Sequence, residues 1–97
     1  MADADRNDWR ASLSDALAEL NGALSAKIGA DRTGQVAEYI DNHEFGLALE
    51  LVVALVIQHG LDARSFRAGV ESLSRRMEMG VEASGQLAAW RDYVGRA

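Results

Sequence analysis

EYIDNHEFGLALELVVALVIQHG, residues 38 to 60, decides the fold. From Phe45 to Ile57 every position is apolar except Gly46 and Glu50. A helix apolar on all sides must be surrounded by other helices. This run is too short, and carries a carboxylate too near its middle, to cross a bilayer. The stretch therefore predicts a buried central helix over about residues 42–59. Asp41 is expected as its N-cap and Glu44 as the N3 partner, a capping box with Asp in place of Ser or Thr. Ile40 and Phe45 are expected to close a hydrophobic staple, and Leu47, Leu49 and Leu51 to pack inward. Gly60, directly after His59, is the expected left-handed terminator.

Working outward, the periodicity stays helical and shows no strand-like alternation. Trp9, Leu13, Leu17, Leu20 and Leu24 fall at spacings of three and four, so a first amphipathic helix is expected from about Asp8 until Gly29 breaks the pattern. A short second helix over about Asp31–Ile40 turns Val36 and Ile40 inward, leaves Tyr39 at the margin, and places Asp31, Gln35 and Glu38 along the far side. Asp62 is expected to cap a fourth helix, with Leu61 and Phe66 as its staple. In that helix Phe66, Val70, Leu73 and Met77 face inward. Arg64, Arg67, Glu71, Arg75 and Glu78 face outward, with Arg67 and Glu71 paired at i,i+4. Gly80 is expected to end it. A fifth helix over about Ala83–Val94 should bury Leu87, Trp90 and Val94. The expected fold is all-α: one domain, residues 1–97, in a compact bundle of four to five helices around the central one, with 1–7 as a flexible tail. Gly46 and Gly69 lie inside helices, where glycine costs about 1 kcal/mol relative to Ala. Close helix approach, or room for a neighbouring aromatic, is the expected compensation.

Composition narrows the function. A 97-residue chain buries about 65% of the surface its unfolded form exposes, which leaves little for a deep substrate cavity. It has no Cys, hence no disulfide framework and no thiolate metal site. The polar, acidic start is unlike a signal peptide, the end carries no lipidation signal, and a cytoplasmic setting is expected. Net charge is −5, unevenly held: residues 1–62 carry 11 acids and 4 bases, residues 63–97 carry 4 acids and 6 bases. Such a chain repels a phosphate backbone, so nucleic acid is not an expected partner. The third and fourth helices join by a short turn, as in a helix-turn-helix. The would-be reading helix, however, mixes its arginines with Glu71 and Glu78. An acidic face instead favours capture of a basic protein.

The histidines and carboxylates do not assemble into a recognisable chemical motif. A zinc helix needs its second histidine at i+4. From His43 that position is Leu47, and His59 would stand about 160° away around the helix. Glu50 is the carboxylate inside the apolar run, expected to meet an Arg of another helix or to reach the surface. No second catalytic group is marked near it. There is no nucleophile elbow and no glycine-rich phosphate loop. No cofactor, metal or catalytic residue is assigned.

The segment Glu38–Val53 does resemble a known pattern. Glu38, Tyr39, Ile40, Asp41, Glu44, Phe45, Gly46, Leu47, Ala48, Leu49 and Glu50 match a run of MafI-type immunity proteins: Glu, Phe or Tyr, Ile, Asp, two variable residues, Glu, Phe or Tyr, Gly, Ile or Leu, Ala, Leu or Phe, Glu. The likeness covers about 16 of 97 residues and leaves the flanks unmatched. Immunity proteins of this type are small cytosolic proteins of bacterial polymorphic toxin systems. The resemblance implies a non-enzymatic chain that neutralises the C-terminal domain of a partner toxin; nucleases are among such toxins. Because most motif residues are explained by folding, the contact is expected on the polar face around them: Asp31, Gln35, Glu38, Tyr39, Asp41, Asn42 and Glu44. A monomer is expected. The alternative is a helical oligomerisation or adaptor module, which an exposed Trp9 or Trp90 would favour.

Overall fold

The computed structural model describes residues 2–79 and 84–96, with side chains from Asp8 onward. In chain order its helices are α1 Ala2–Ile28, α2 Ala30–Asp41, α3 Phe45–Gln58, α4 Arg67–Arg76 and α5 Gly85–Arg96, with a 3-10 turn over Ala63–Ser65 ahead of α4. The architecture is all-α, and α3 packs against each of the other four helices. Leu49, Val52, Val53 and Val56 on α3 are wholly inaccessible to solvent. They join Leu13, Leu17 and Leu24 of α1, Val36 of α2 and Val70 of α4 in one continuous core.

The enclosure of α3 is incomplete. Leu47 is 48% exposed. Leu51 and Ala54 are half-buried and Gln58 is exposed. These positions are four, three and four apart, which makes one open stripe. Leu47 thus faces outward, contrary to the expectation that it packs. Glu50 lies beside the stripe, half-buried, with no ion pair or hydrogen bond of its side chain among the described residues.

The start of α3 differs from the sequence expectation. Asp41 is the last residue of α2, not the cap of α3, and Glu44 occupies the N-cap without a side-chain bond. The capping box and its staple are therefore absent, although Ile40 and Phe45 are both buried in the core. A Schellman closure of α2 takes their place. The His43 amide donates to the Ile40 carbonyl at 3.0 Å and the Glu44 amide to the Tyr39 carbonyl at 2.8 Å. This puts His43 in the left-handed region at φ 60. The closure is made by backbone groups alone, and the Glu44 side chain makes no cap bond.

The same closure ends α3 and α4. After α3, Gly60 at φ 61 is the expected terminator, with Leu61 N–H donating to the Val56 carbonyl at 3.0 Å. After α4, Glu78 at φ 54 takes the left-handed position and Met79 N–H donates to the Ser74 carbonyl at 2.8 Å. The helix therefore ends before Gly80, which lies outside the described residues, as does Ala83, the expected start of α5. Asp62 caps a 3-10 turn rather than α4 itself: its carboxylate accepts the Arg64 amide at 3.0 Å, and α4 starts at Arg67 with Phe66 as an N-cap that makes no side-chain bond. Ser84 Oγ accepts the Leu87 amide at 3.3 Å and caps α5.

α1 begins at Ala2 rather than near Asp8, so residues 2–7, expected as a tail, are helical. Its 27 residues span about 40 Å at 1.5 Å each, most of the molecule's 44 Å length. The two interior glycines behave differently. A Cβ on Gly69 would stand 2.9 Å from Leu20 Cδ1, so Gly69 permits close approach of α1 and α4. A Cβ on Gly46 would meet Met79 Sδ at 3.6 Å, ordinary contact. α5 is held by buried Leu87 and Trp90 and by the Tyr93 hydroxyl, which donates to the Leu61 carbonyl.

Candidate interaction surface

The residues expected to meet a partner fall on α2 and on the corner that follows it. Asp31, Gln35 and Glu38 are spaced four and three apart, so they share one face of α2, and all three are exposed. The opposite face carries Thr33, Val36 and Ile40 into the interior. Thr33, which the hydrophobic pattern did not mark, anchors this orientation: its buried hydroxyl bonds Ser25 Oγ at 3.1 Å, joining the end of α1 to the start of α2. Tyr39 is half-buried and packs against the core, the marginal position expected of it.

At the corner, Asp41, Asn42 and Glu44 are exposed, as is His43 between them. The His43 ring leans on Phe45, with centroids 5.6 Å apart and planes at 53°. The left-handed backbone at His43 sets that direction. The acids at the corner continue those of α2, and Asp8, Asp15 and Glu19 are exposed on α1. The polar exterior of the first two helices is therefore mostly anionic, interrupted by exposed Arg10, Lys27 and Arg32.

Beside the corner runs a groove of about 530 Å³, walled by Trp9 and Arg10 of α1, by His43, Phe45 and Gly46, and by Met77 and Met79 after α4. Trp9 is 48% exposed, a correction to its expected place on the inward stripe. The buried stripe of α1 starts one turn later, at Leu13. Trp9 borders the groove opposite the α2–α3 corner, His43 to Gly46, and the end of α4, rather than a helix body. Helical spacing alone could not show this, because it reports direction around an axis and not where the opposing helix stops. Met77 was expected inward and is half-buried.

A second cleft, about 510 Å³, separates α4 from α5. Leu87, Trp90, Val94 and Met79 are in its walls, together with Arg67, Glu71 and Arg91. Arg67 Nε bonds Glu71 Oε1 at 3.1 Å, the expected i,i+4 pair, at a solvent-exposed position.

Neither cleft brings Glu50 and His43 together, since His43 lines the first and Glu50 lines neither. His59 is the C-cap of α3, at the far end of that helix from His43. Among the described residues no group of three or more His, Asp or Glu side chains is placed to hold a metal ion. No helix among them is long and apolar enough to cross a membrane. The Arg64 backbone amide, and then its guanidinium, hold the Asp62 carboxyl below the usual aspartate range. That shift belongs to a helix cap and marks no reactive group. The surface offers recognition chemistry: a line of carboxylates, a corner of hydrogen-bonding side chains, and a groove of mixed polar and apolar lining at the corner. Comparison with family models, curated proteins and solved structures gives no match.

Proposed function

We propose that this chain is an immunity protein that binds a partner toxin domain and neutralises it, without catalysis, by covering its active site or substrate-binding surface. The observation that carries the reading is the division of labour within Glu38–Val53. Apart from exposed Leu47, its apolar residues lie in or against the core, while Glu38, Asp41 and Glu44 are exposed, as are Asp31 and Gln35 earlier on α2. That arrangement fits the resemblance of the segment to MafI-type immunity proteins. It offers a basic toxin surface a line of carboxylates on a rigid helix. Against a nuclease, such a line imitates the phosphate backbone that the toxin's groove is built to hold, and complementary charge speeds association. The protein would act in the cytoplasm of the producing cell.

The test is coexpression with the toxic C-terminal domain encoded beside it, scored by growth, with association rates measured on the purified pair. Wild type should restore growth, and Asp31→Lys with Glu38→Lys should slow association in a salt-dependent manner. Unchanged rates at low salt would remove the mimicry, and a failure of wild type to protect would remove the immunity role.

A second reading is favoured by one observation. Trp9 and Leu47 are each 48% exposed, and uncovered large apolar side chains mark contact surfaces of any kind. A helical adaptor or self-associating module would use them. Sizing chromatography separates the readings: a concentration-dependent dimer supports the module, a monomer the immunity protein.

A further inference from the structure

We infer that the cleft between α4 and α5 binds a small organic acid, a carboxylate carried on an apolar body. The site stands apart from the proposed function, since neither Asp31, Gln35 and Glu38 nor the corner after α2 contributes to its walls.

The two walls do not match each other. Leu87, Trp90 and Val94, three and four apart, form the side that α5 turns to the cleft, and Met79 adds a further apolar side chain. Arg67, Glu71 and Ser74, four and three apart, form the side that α4 turns to it. An apolar wall therefore faces a polar one across about 510 Å³, within the roughly 300–1,000 Å³ of sites that hold small ligands. α5 packs chiefly on α3 and on the 3-10 turn, not on α4. An occupant that satisfies both walls is amphipathic, apolar toward α5 and polar toward α4.

Charge decides the sign of the polar end. The walls hold two guanidiniums, Arg67 and Arg91, and one carboxylate, Glu71. Arg67 and Glu71 are paired at 3.1 Å. Arg91 is exposed and makes no ion pair among the described residues. The exposed charged residues next to wall residues in sequence, Arg75 and Arg96 against Glu78 and Asp92, cancel. Arg76 is engaged elsewhere, with Ser12 Oγ on α1. The excess is thus one cation, and a guanidinium meets a carboxylate through two parallel N–H groups.

Trp90 brings a donor that has no acceptor. The side chain is 4% exposed, and its indole Nε1 is buried without a hydrogen-bond partner among the described residues. Phenylalanine at this position would carry no such donor, and a buried donor left unpaired is a net cost to the fold. Water does not reach Nε1, so its acceptor comes in with a group that shifts the indole or α5. What Arg91 and Trp90 both lack is an oxygen acceptor, and a carboxylate supplies two.

The probe is octanoate. Each of three controls changes one element of it: octanol removes the charge, octylamine reverses it, and acetate removes the apolar body. Each is titrated to about 5 mM into the ¹⁵N-labelled full chain. Octanoate is expected to shift the amides of Arg67–Ser74 and Leu87–Gly95. It should also move the Trp90 indole proton downfield, as a donor that gains an acceptor does, while the Trp9 indole, assigned with Trp9→Phe, stays. All three controls should bind at least about tenfold more weakly. Arg91→Glu, at an exposed position, should keep the helical circular dichroism, lose octanoate and gain octylamine. Glu71→Gln frees the Arg67 guanidinium and should tighten octanoate about threefold or more. Trp90→Phe should weaken octanoate about threefold or more; if that variant unfolds, Arg91→Glu and the indole proton of the wild type decide.

The inference is overturned by an absence of shifts at about 5 mM octanoate, by wild type binding octylamine as well as octanoate, by shifts centred on residues 9–10 and 43–46, or by octanoate binding while the Trp90 indole proton stays in place.

Discussion

Leu20 Cδ1 lies 2.9 Å from where a Cβ on Gly69 would stand, so α1 and α4 meet at a spacing that excludes a side chain at position 69 unless Leu20 moves. Leu20 is a core residue, 8% exposed, and its methyl can retreat only toward the cleft of about 280 Å³ that it lines with Gly69, Ala16 and Leu73. Overpacking a core costs about 1–3 kcal/mol, more than the roughly 1 kcal/mol that leaving glycine gains in a helix. Gly69→Val should therefore lower the unfolding free energy by about 1–3 kcal/mol in urea titration. Pairing it with Leu20→Ala should recover part of that loss relative to the sum of the single variants, because the two sites share one space. Strict additivity would show that the close approach is not what glycine provides.

His43 and Glu78 both hold left-handed backbone, at φ 60 and φ 54, in Schellman closures that glycine would adopt without strain. An L-residue there costs about 1–2 kcal/mol, part of which glycine returns through its larger unfolded-state entropy. His43→Gly and Glu78→Gly should each raise stability, by about 0.5–1 kcal/mol. Gly60→Ala, the reverse change at φ 61, should lower it by a similar amount. Thermal melts of the three variants check the set. Because His43 and Glu78 also flank the Trp9 groove, a stabilised glycine variant that binds a partner less well would show that the strained backbone directs side chains needed there.

These two positions also show what the sequence could and could not disclose. Gly60 is legible because glycine after an apolar run signals a left-handed terminator, and α3 does close there, whereas α4, expected from the Asp62 cap, begins only at Arg67, after a 3-10 turn. At His43 the same geometry is built on a residue that gives no such signal. The Asp41 and Glu44 spacing then suggested a cap for α3 where the chain is in fact closing α2. Helix identity came through because the apolar run and the Leu13–Leu24 stripe are long. The places where helices end against one another do not come through, and there the expectation that Trp9 and Leu47 face inward fails. The exposed line of Asp31, Gln35 and Glu38 followed directly from Val36 and Ile40 facing in. The groove at its end, by contrast, depends on Met77 and Met79 coming from a distant helix end, which no local pattern encodes.

The Tyr93 hydroxyl donates to the Leu61 carbonyl and ties α5 to the turn between α3 and α4. α5 otherwise relies on Leu87 and Trp90, and the indole Nε1 has no hydrogen-bond partner among the described residues. Tyr93→Phe removes one bond to a half-buried carbonyl and should cost about 0.5–1.5 kcal/mol. Trp90→Ala should cost about 3–5 kcal/mol. Hydrogen exchange gives the sharper reading. In Tyr93→Phe, amides of α5 should lose protection while those of Leu49–Val56 keep theirs. Equal loss across both helices would mean that α5 is not a separable unit of stability.

Asp62 supplies a pH dependence whose sign can be worked out. Its folded-state pKa lies below the unfolded value because the Arg64 amide, and then its guanidinium, bond the charged carboxylate. A depressed pKa contributes stability that is fully present above the unfolded value and is lost as pH falls through the folded one. The cap should therefore weaken below about pH 4, where unfolded aspartate begins to protonate. Asp62→Asn keeps a capping oxygen without the charge. Its melting temperature should fall less steeply than that of wild type between about pH 4 and pH 2. Parallel curves would assign the acid sensitivity to other carboxylates.

Asp31 and Glu38 are exposed and make no hydrogen bond or ion pair among the described residues, which separates their two possible roles. If they serve only solubility, reversing them changes neither fold nor partner. If they steer a basic partner, the fold is unchanged but association slows. Asp31→Lys and Glu38→Lys should each alter unfolding free energy by no more than about 0.5 kcal/mol, as surface substitutions do. Asp31, in the first turn of α2, should sit at the upper end of that range because it faces the positive end of the helix dipole. The double reversal should reduce the association rate with a cationic partner several-fold at about 20 mM salt and much less at about 300 mM, where screening shortens the reach of charge. Dissociation should change little, because residues at a rim act on encounter more than on residence. A reversal that instead accelerates dissociation at both salts would place Asp31 and Glu38 inside the contact rather than at its rim.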